Sequence, residues 1–142
     1  MKRFEEFIKE KEVKKATPDK ELAKSLVEEA ETRIEIALEM KLDEKRATVI
    51  FELLYDSLRE LIDALLALEG YKSYSHEANI AYLKKLPDFS DFEVSSLDSF
   101  RRIRNSSKYY GKPAQISDVS RIKDQLPALK EKLLRIIKCK LK

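Results

Sequence analysis

The sequence predicts an all-α, up-and-down bundle of about five to six helices, in a single domain spanning residues 1–142. Three observations lead there. Apolar residues recur three and four apart over long stretches, and no segment alternates with period two for long enough to suggest a sheet. Both glycines, Gly70 and Gly111, follow such stretches directly, where a left-handed terminator belongs. The prolines fall mostly at boundaries between stretches.

Residues 1–16 hold a short helix, about Phe4 to Lys15, with a thin apolar edge of Phe4, Phe7 and Ile8. So narrow an edge implies a peripheral element that packs weakly or frays. Thr17-Pro18-Asp19 then reads as a restart, with a threonine cap and proline at the first helical position. The second helix runs from about Pro18 to Met40, with Leu22, Leu26, Ala30, Ile34, Ala37 and Leu38 in its apolar stripe. Asp43 is the cap expected for a third helix, Glu44 to Glu69. Leucine, isoleucine, valine and phenylalanine cover most of its circumference, so it should be the helix the others surround. A short fourth helix follows Ser75 and ends before Pro87. Ser90 and Glu93 have capping-box spacing for a fifth, starting near Asp91. Ser117 or Asp118 caps the last helix, which Pro127 should bend or divide.

Composition narrows the function classes. With 43% hydrophobic residues the chain can build a core, and 39% charged residues exceed the usual quarter or so. Net charge is only +3, so most of that charge belongs to solvated faces with spaced ion pairs. Such abundance, with a single cysteine, points loosely to a thermophilic source. Cys139 stands alone, which excludes an intramolecular disulfide framework and a cysteine-rich zinc site. No HxxxH, CxxC or Asp-rich spacing occurs, and two glycines cannot make a glycine-rich phosphate loop. No metal or other cofactor is therefore expected. The residues after Met1 lack an apolar core of signal-peptide length, and no apolar run approaches the roughly 20 residues of a membrane span. The expected location is cytoplasmic, with no membrane partner.

Functional chemistry concentrates in SSLDSFRRIRNSSKYYG, residues 95–111. Leu97, Phe100 and Ile103 share one helical face, so Arg101, Arg102 and Arg104 emerge on its flanks. Asn105, Lys108, Tyr109 and Tyr110 complete the last turns, and Gly111 and Pro113 end the helix. No acidic residue lies between Ser99 and Pro113. Guanidinium groups fork onto phosphates and phenol rings stack on bases, so the cluster suits a nucleotide or RNA. Its expected ligand-binding residues are Arg101, Arg104, Asn105, Lys108, Tyr109 and Tyr110. Each also has a plainer reading. Arg104 could pair with Asp56 or Glu60 on the long helix, Arg101 and Arg102 could form a solvated basic face, and the tyrosines could simply pack.

The helix order from Asp19 onward, the segment GYKSYSH and the stretch SFRRIRNSSKYYG together resemble the HEPN family (higher eukaryotes and prokaryotes nucleotide-binding domains), especially small archaeal stand-alone members. Many members carry an arginine followed by a polar residue, with a histidine four to six residues further on. At a dimer interface that pair cleaves RNA without a metal. Here Arg104 fills the arginine slot and Asn105 follows it, but Tyr109 stands where the histidine would be. A phenol with a pKa near ~10 is a poor base at neutral pH. Losing a positioned acid–base group typically costs about 100- to 10,000-fold in rate. The resemblance therefore implies a homodimer that binds nucleotide or RNA with a degenerate nuclease motif. It also implies a minimal nucleotidyltransferase partner, as in toxin–antitoxin pairs, with Tyr109 or Tyr110 as nucleotide acceptor. Two alternatives stand beside it. One is a metal-independent ribonuclease using Arg104 with Asn105, Lys108 or Tyr109 in place of histidine. The other is a non-enzymatic helical adaptor. His76, the single histidine, matches a family position outside the catalytic motif, which favours a structural hydrogen bond.

Overall fold

A computed structural model describes residues 1–142. Six helices make the bundle: α1 (Phe4–Lys9), α2 (Lys20–Glu39), α3 (Ala47–Glu69), α4 (His76–Lys84), α5 (Asp91–Tyr110) and α6 (Ile116–Leu141). Two three-residue strands, β1 (Val13–Lys15) and β2 (Tyr71–Ser73), pair antiparallel with Val13 opposite Ser73. No helix is long and apolar enough to cross a membrane.

The bundle is organised by α3. Fourteen of its residues are buried, on most sides of the helix, and α2 and α6 pack along it. Gly70 ends it at φ 81°, a conformation open to glycine and strained for other residues. A Cβ on Gly70 would stand 2.8 Å from the Ala16 carbonyl oxygen, on a backbone that cannot retreat because Ala16 N–H donates to Gly70 O at 2.8 Å. Gly70→Ala should therefore cost roughly 2–4 kcal/mol in denaturant unfolding. Gly111→Ala, with φ 65° but open space around it, should cost about 1 kcal/mol.

The N-terminus is not peripheral. Phe4 and Phe7 are fully buried, Phe4 edge-on to Tyr71 and Tyr82 at centroid distances of 5.2 and 5.0 Å. The helix expected to Lys15 stops at Lys9. Lys11 then turns the chain at φ 65°, and Val13 buries itself as the first residue of β1. Pairing of β1 with β2 ties this segment to the α3–α4 connection. Ser73 Oγ in turn accepts from Ser75 N–H at 3.2 Å, and Ser75 caps α4 through Ala78 N–H. The start of α4, and with it His76, is thereby fixed in place.

Other boundaries differ from expectation in detail. Asp19, not Thr17, caps α2, accepting from Leu22 N–H at 3.0 Å. A carboxylate at the positive end of the helix dipole outcompetes the hydroxyl two residues earlier. Leu22 and Leu38 of the expected stripe are largely exposed, and Ala23, Ala30, Ile34 and Ala37 form the buried edge. Asp43 does accept Arg46 N–H, at 2.9 Å, but α3 proper begins at Ala47. Gln115, not Ser117 or Asp118, is the cap residue of α6; its N–H donates to Asp118 Oδ2 at 2.9 Å. Pro127 does not divide that helix, which runs unbroken for 26 residues. Pro127 is exposed, and buried Leu126 and Leu129 hold both halves against the core. The expected Ser90–Glu93 box and the left-handed Gly111 cap delimit α5.

Candidate functional site

Among the mostly apolar positions of α3, Glu52, Asp56, Arg59 and Asp63 recur at intervals of four, three and four, so they share one face. Two other helices meet that face. The α4 helix brings His76 and Asn79, and α5 brings Arg101, Arg104 and Ser107. Burial on α5 is complete only at Val94, Ser96, Leu97 and Phe100. Beyond Phe100 the helix rests on half-buried residues, and its last three are exposed.

The cations here are unevenly paired. Arg101 pairs with Asp98 at 2.9 Å, and Arg102 reaches the same carboxylate at 3.1 Å, so two guanidinium groups share one acid. Arg104, with only 11% of its side chain exposed, has Asp56 as its partner at 3.6 Å, beyond good hydrogen-bond length. Arg104 Nε and Asp56 Oδ1 are both buried without a hydrogen bond. Arg59 has no carboxylate partner. Its Nη1 donates to His76 Nε2 at 2.7 Å, and its Nε is buried and unbonded. Glu60, the other acid considered for Arg104, is held instead by Arg33 at 2.7 and 2.8 Å. Glu52 accepts from Ser107 Oγ at 2.9 Å.

His76 is the titratable group this arrangement affects most. Arginine only donates, so Nε2 must carry the lone pair and Nδ1 the proton. Burial pushes the imidazole pKa down to about 4, with Arg59, Arg104, Arg101 and Lys108 adding to the effect in that order. Position at the first turn of α4 has the same sign. A neutral imidazole whose basic nitrogen is tied to a guanidinium is neither a proton donor at pH 7 nor a free base. It can orient Arg59. Tyr55, buried beneath the cluster with its ring 6.2 Å from His76, has its phenol pKa raised by burial and stays protonated.

Of the residues singled out in sequence, Arg101 and Arg104 meet at this face with His76. Asn105 is half-buried beside them in the chain. Lys108 is exposed, with its ammonium 6.0 Å from the Tyr109 ring. Tyr109 and Tyr110 project at the end of α5, 66% and 76% exposed, so they do not pack. Arg59 was missed. Its signal is the polar stripe on α3, which breaks the apolar pattern at helical spacing. The nearest large concavity, about 710 Å³, is lined by Glu77, Asp98 and Arg102 among others, but not by Arg104 or His76. No group of three or more His, Cys, Asp or Glu side chains is placed to hold a metal ion.

Comparison with protein-family models, with curated proteins and with solved structures finds no match to this chain. What the site can do therefore rests on its own chemistry. Arg59, Arg101, Arg104 and Lys108 act on one uncharged imidazole; Arg101 pairs with Asp98 and Arg104 with Asp56, whereas Arg59 and Lys108 pair with no carboxylate. Such a surface attracts an anion with several oxygen acceptors.

Proposed function

We propose that the chain is a HEPN-type protein that binds RNA or a nucleotide at the α3–α4–α5 cluster without efficient cleavage. The observation that carries this is the poor pairing of two guanidinium groups: Arg59 has no carboxylate partner, Arg104 meets Asp56 only at 3.6 Å, and the Nε of each is buried and unbonded. A phosphate-bearing chain would supply oxygen acceptors to these guanidinium groups. A neutral His76 pinned by Arg59 supports binding over acid–base chemistry. In the proposed homodimer two copies of α5 approach across a two-fold axis, and the cleft that one protomer lacks forms between them.

Fluorescence anisotropy with a labelled single-stranded RNA tests the proposal, paired with light scattering for the dimer. Saturable binding should weaken with salt, with a log–log slope near about −2 if roughly three phosphates are neutralised. A folded protein with no saturable binding at low salt would defeat it.

The ribonuclease alternative uses Arg104 with Asn105, Lys108 or Tyr109, the last two exposed at the end of α5. It requires chelator-resistant RNA cleavage that Arg104→Ala abolishes. The adaptor alternative requires that Arg104→Ala change no ligand binding. A minimal nucleotidyltransferase partner remains part of the leading proposal, because exposed Tyr109 and Tyr110 are accessible to a modifying enzyme. Intact mass after co-expression with such a partner should show a nucleotide adduct that a Tyr109→Phe/Tyr110→Phe variant lacks. An unmodified wild-type mass would remove this part.

A further inference from the structure

Asp63, one turn beyond Arg59 on α3, is half-buried and finds only a neutral partner, Asn79 Nδ2 at 2.8 Å. Asp56, Glu60, Glu93 and Asp98 each have an arginine or lysine within 3.6 Å, whereas Asp63 forms no such pair. Arg59, one turn away, makes no ion pair with it and acts on it only at longer range, its Nη1 donating to His76 instead. A cavity of about 440 Å³ opens at Asp63, between the start of α2, the second half of α3 and β2. Leu22, Leu26 and Ala67 supply apolar wall, and Leu22 is 47% exposed. Asp19 lies in the same lining, with Oδ1 already bonded to Leu22 N–H. The one cation of the lining, Lys72, has its ammonium 5.6 Å over the Tyr74 ring.

A partly apolar cavity of ordinary ligand size thus holds a carboxylate that no cation of the chain pairs with directly. We propose that it binds a small organic cation, a primary ammonium or amidinium on an apolar body about the size of a benzyl group. The cationic head pairs with Asp63, where partial burial strengthens a charge-assisted hydrogen bond, and the body lies against Leu22, Leu26 and Ala67. Burial also raises the Asp63 carboxyl pKa, so affinity should fall as acid protonates it. None of the arginines of the α3–α4–α5 cluster lines this cavity, although Asp63 lies one turn from Arg59 on the same helix, so amine binding and RNA binding are read in separate titrations.

Titration of the ¹⁵N-labelled full chain with benzylamine hydrochloride, and separately with benzyl alcohol, tests it. Benzylammonium should give saturable shifts at the amides of Leu22, Leu26 and Ala67, with benzyl alcohol at least about tenfold weaker. Asp63→Asn, which keeps an acceptor for Asn79, should weaken benzylammonium at least about tenfold. Leu22→Trp, which crowds the mouth and leaves the carboxylate intact, should weaken it as well. Non-saturable shifts, equal response to the alcohol, or unchanged binding in a folded Asp63→Asn protein would each overturn the proposal.

Discussion

Arg104→Ala should weaken RNA binding by about tenfold or more and lower stability by roughly 1–3 kcal/mol. Both effects come from one environment. The guanidinium is nearly buried, with Asp56 as its carboxylate partner. Removing it leaves Asp56 without that cation, and an unpaired, partly buried carboxylate is destabilising. It also subtracts one positive charge from a face where the surplus is small. Arg104→Lys separates the two effects, since it keeps the charge and loses the fork. That variant should recover much of the stability and only part of the binding. Anisotropy and denaturant unfolding on the same samples check both. Equal RNA affinity in wild type and a folded Arg104→Ala protein would remove Arg104 from the site.

Phe100→Ala should cost more stability than any change in the cluster, roughly 3–5 kcal/mol. Its ring is fully buried, meets Phe51 nearly edge-on at 6.0 Å and lies 5.4 Å from the Arg121 guanidinium. It is also the last fully buried residue of α5. The half of the helix that carries Arg101, Arg104 and Lys108 is held in place largely from that point. Loss of the ring should therefore release the arginine-bearing turns and reduce RNA binding although no cation has been removed. Phe92→Ala, on an exposed ring of the same helix, should change stability by no more than about 0.5 kcal/mol. Comparable losses for the two variants would contradict this account of how α5 is anchored.

Helices were legible where side-chain pattern and backbone chemistry agreed. Gly70 and Gly111 terminated α3 and α5, and Ser75 and Ser90 started α4 and α5. The apolar circumference of α3 announced the central element. Less visible was anything set by a distant partner. Val13–Lys15 is too short for alternation to register, and it becomes a strand because Tyr71–Ser73 is there to pair with it. The large exposure of Leu22 and Leu38 depends on how α2 is rotated against α3, which alanines at Ala23, Ala30 and Ala37 decide by close approach. In the candidate site, local sequence gave the arginines of α5, but Arg59 and His76 join them only through tertiary packing. The fate of each arginine depended on which acid lay opposite, and that choice belongs to the fold.

Acid stability provides a further test. The His76 value in the folded chain lies below the ordinary 6.5, so protonation favours the unfolded state. Its contribution is complete above pH 6.5 and is lost as pH falls toward 4. Glu60 acts with the opposite sign. Burial and neighbouring Glu29 raise it to about 7 despite the grip of Arg33, so its contribution is present below 4.5 and lost as pH rises through 7. The two overlap, and the difference between wild type and His76→Gln isolates the imidazole. His76→Gln should retain more of its stability on acidification than wild type does.

Since the chain has one histidine, its imidazole resonances can be followed by NMR without ambiguity. Titration should give a pKa of about 4 in the free protein, and saturating RNA oligonucleotide should raise it by offsetting the charge of Arg59, Arg101, Arg104 and Lys108. A value near 6.5 that does not move when the oligonucleotide is added would contradict a buried cationic cluster that takes up phosphate.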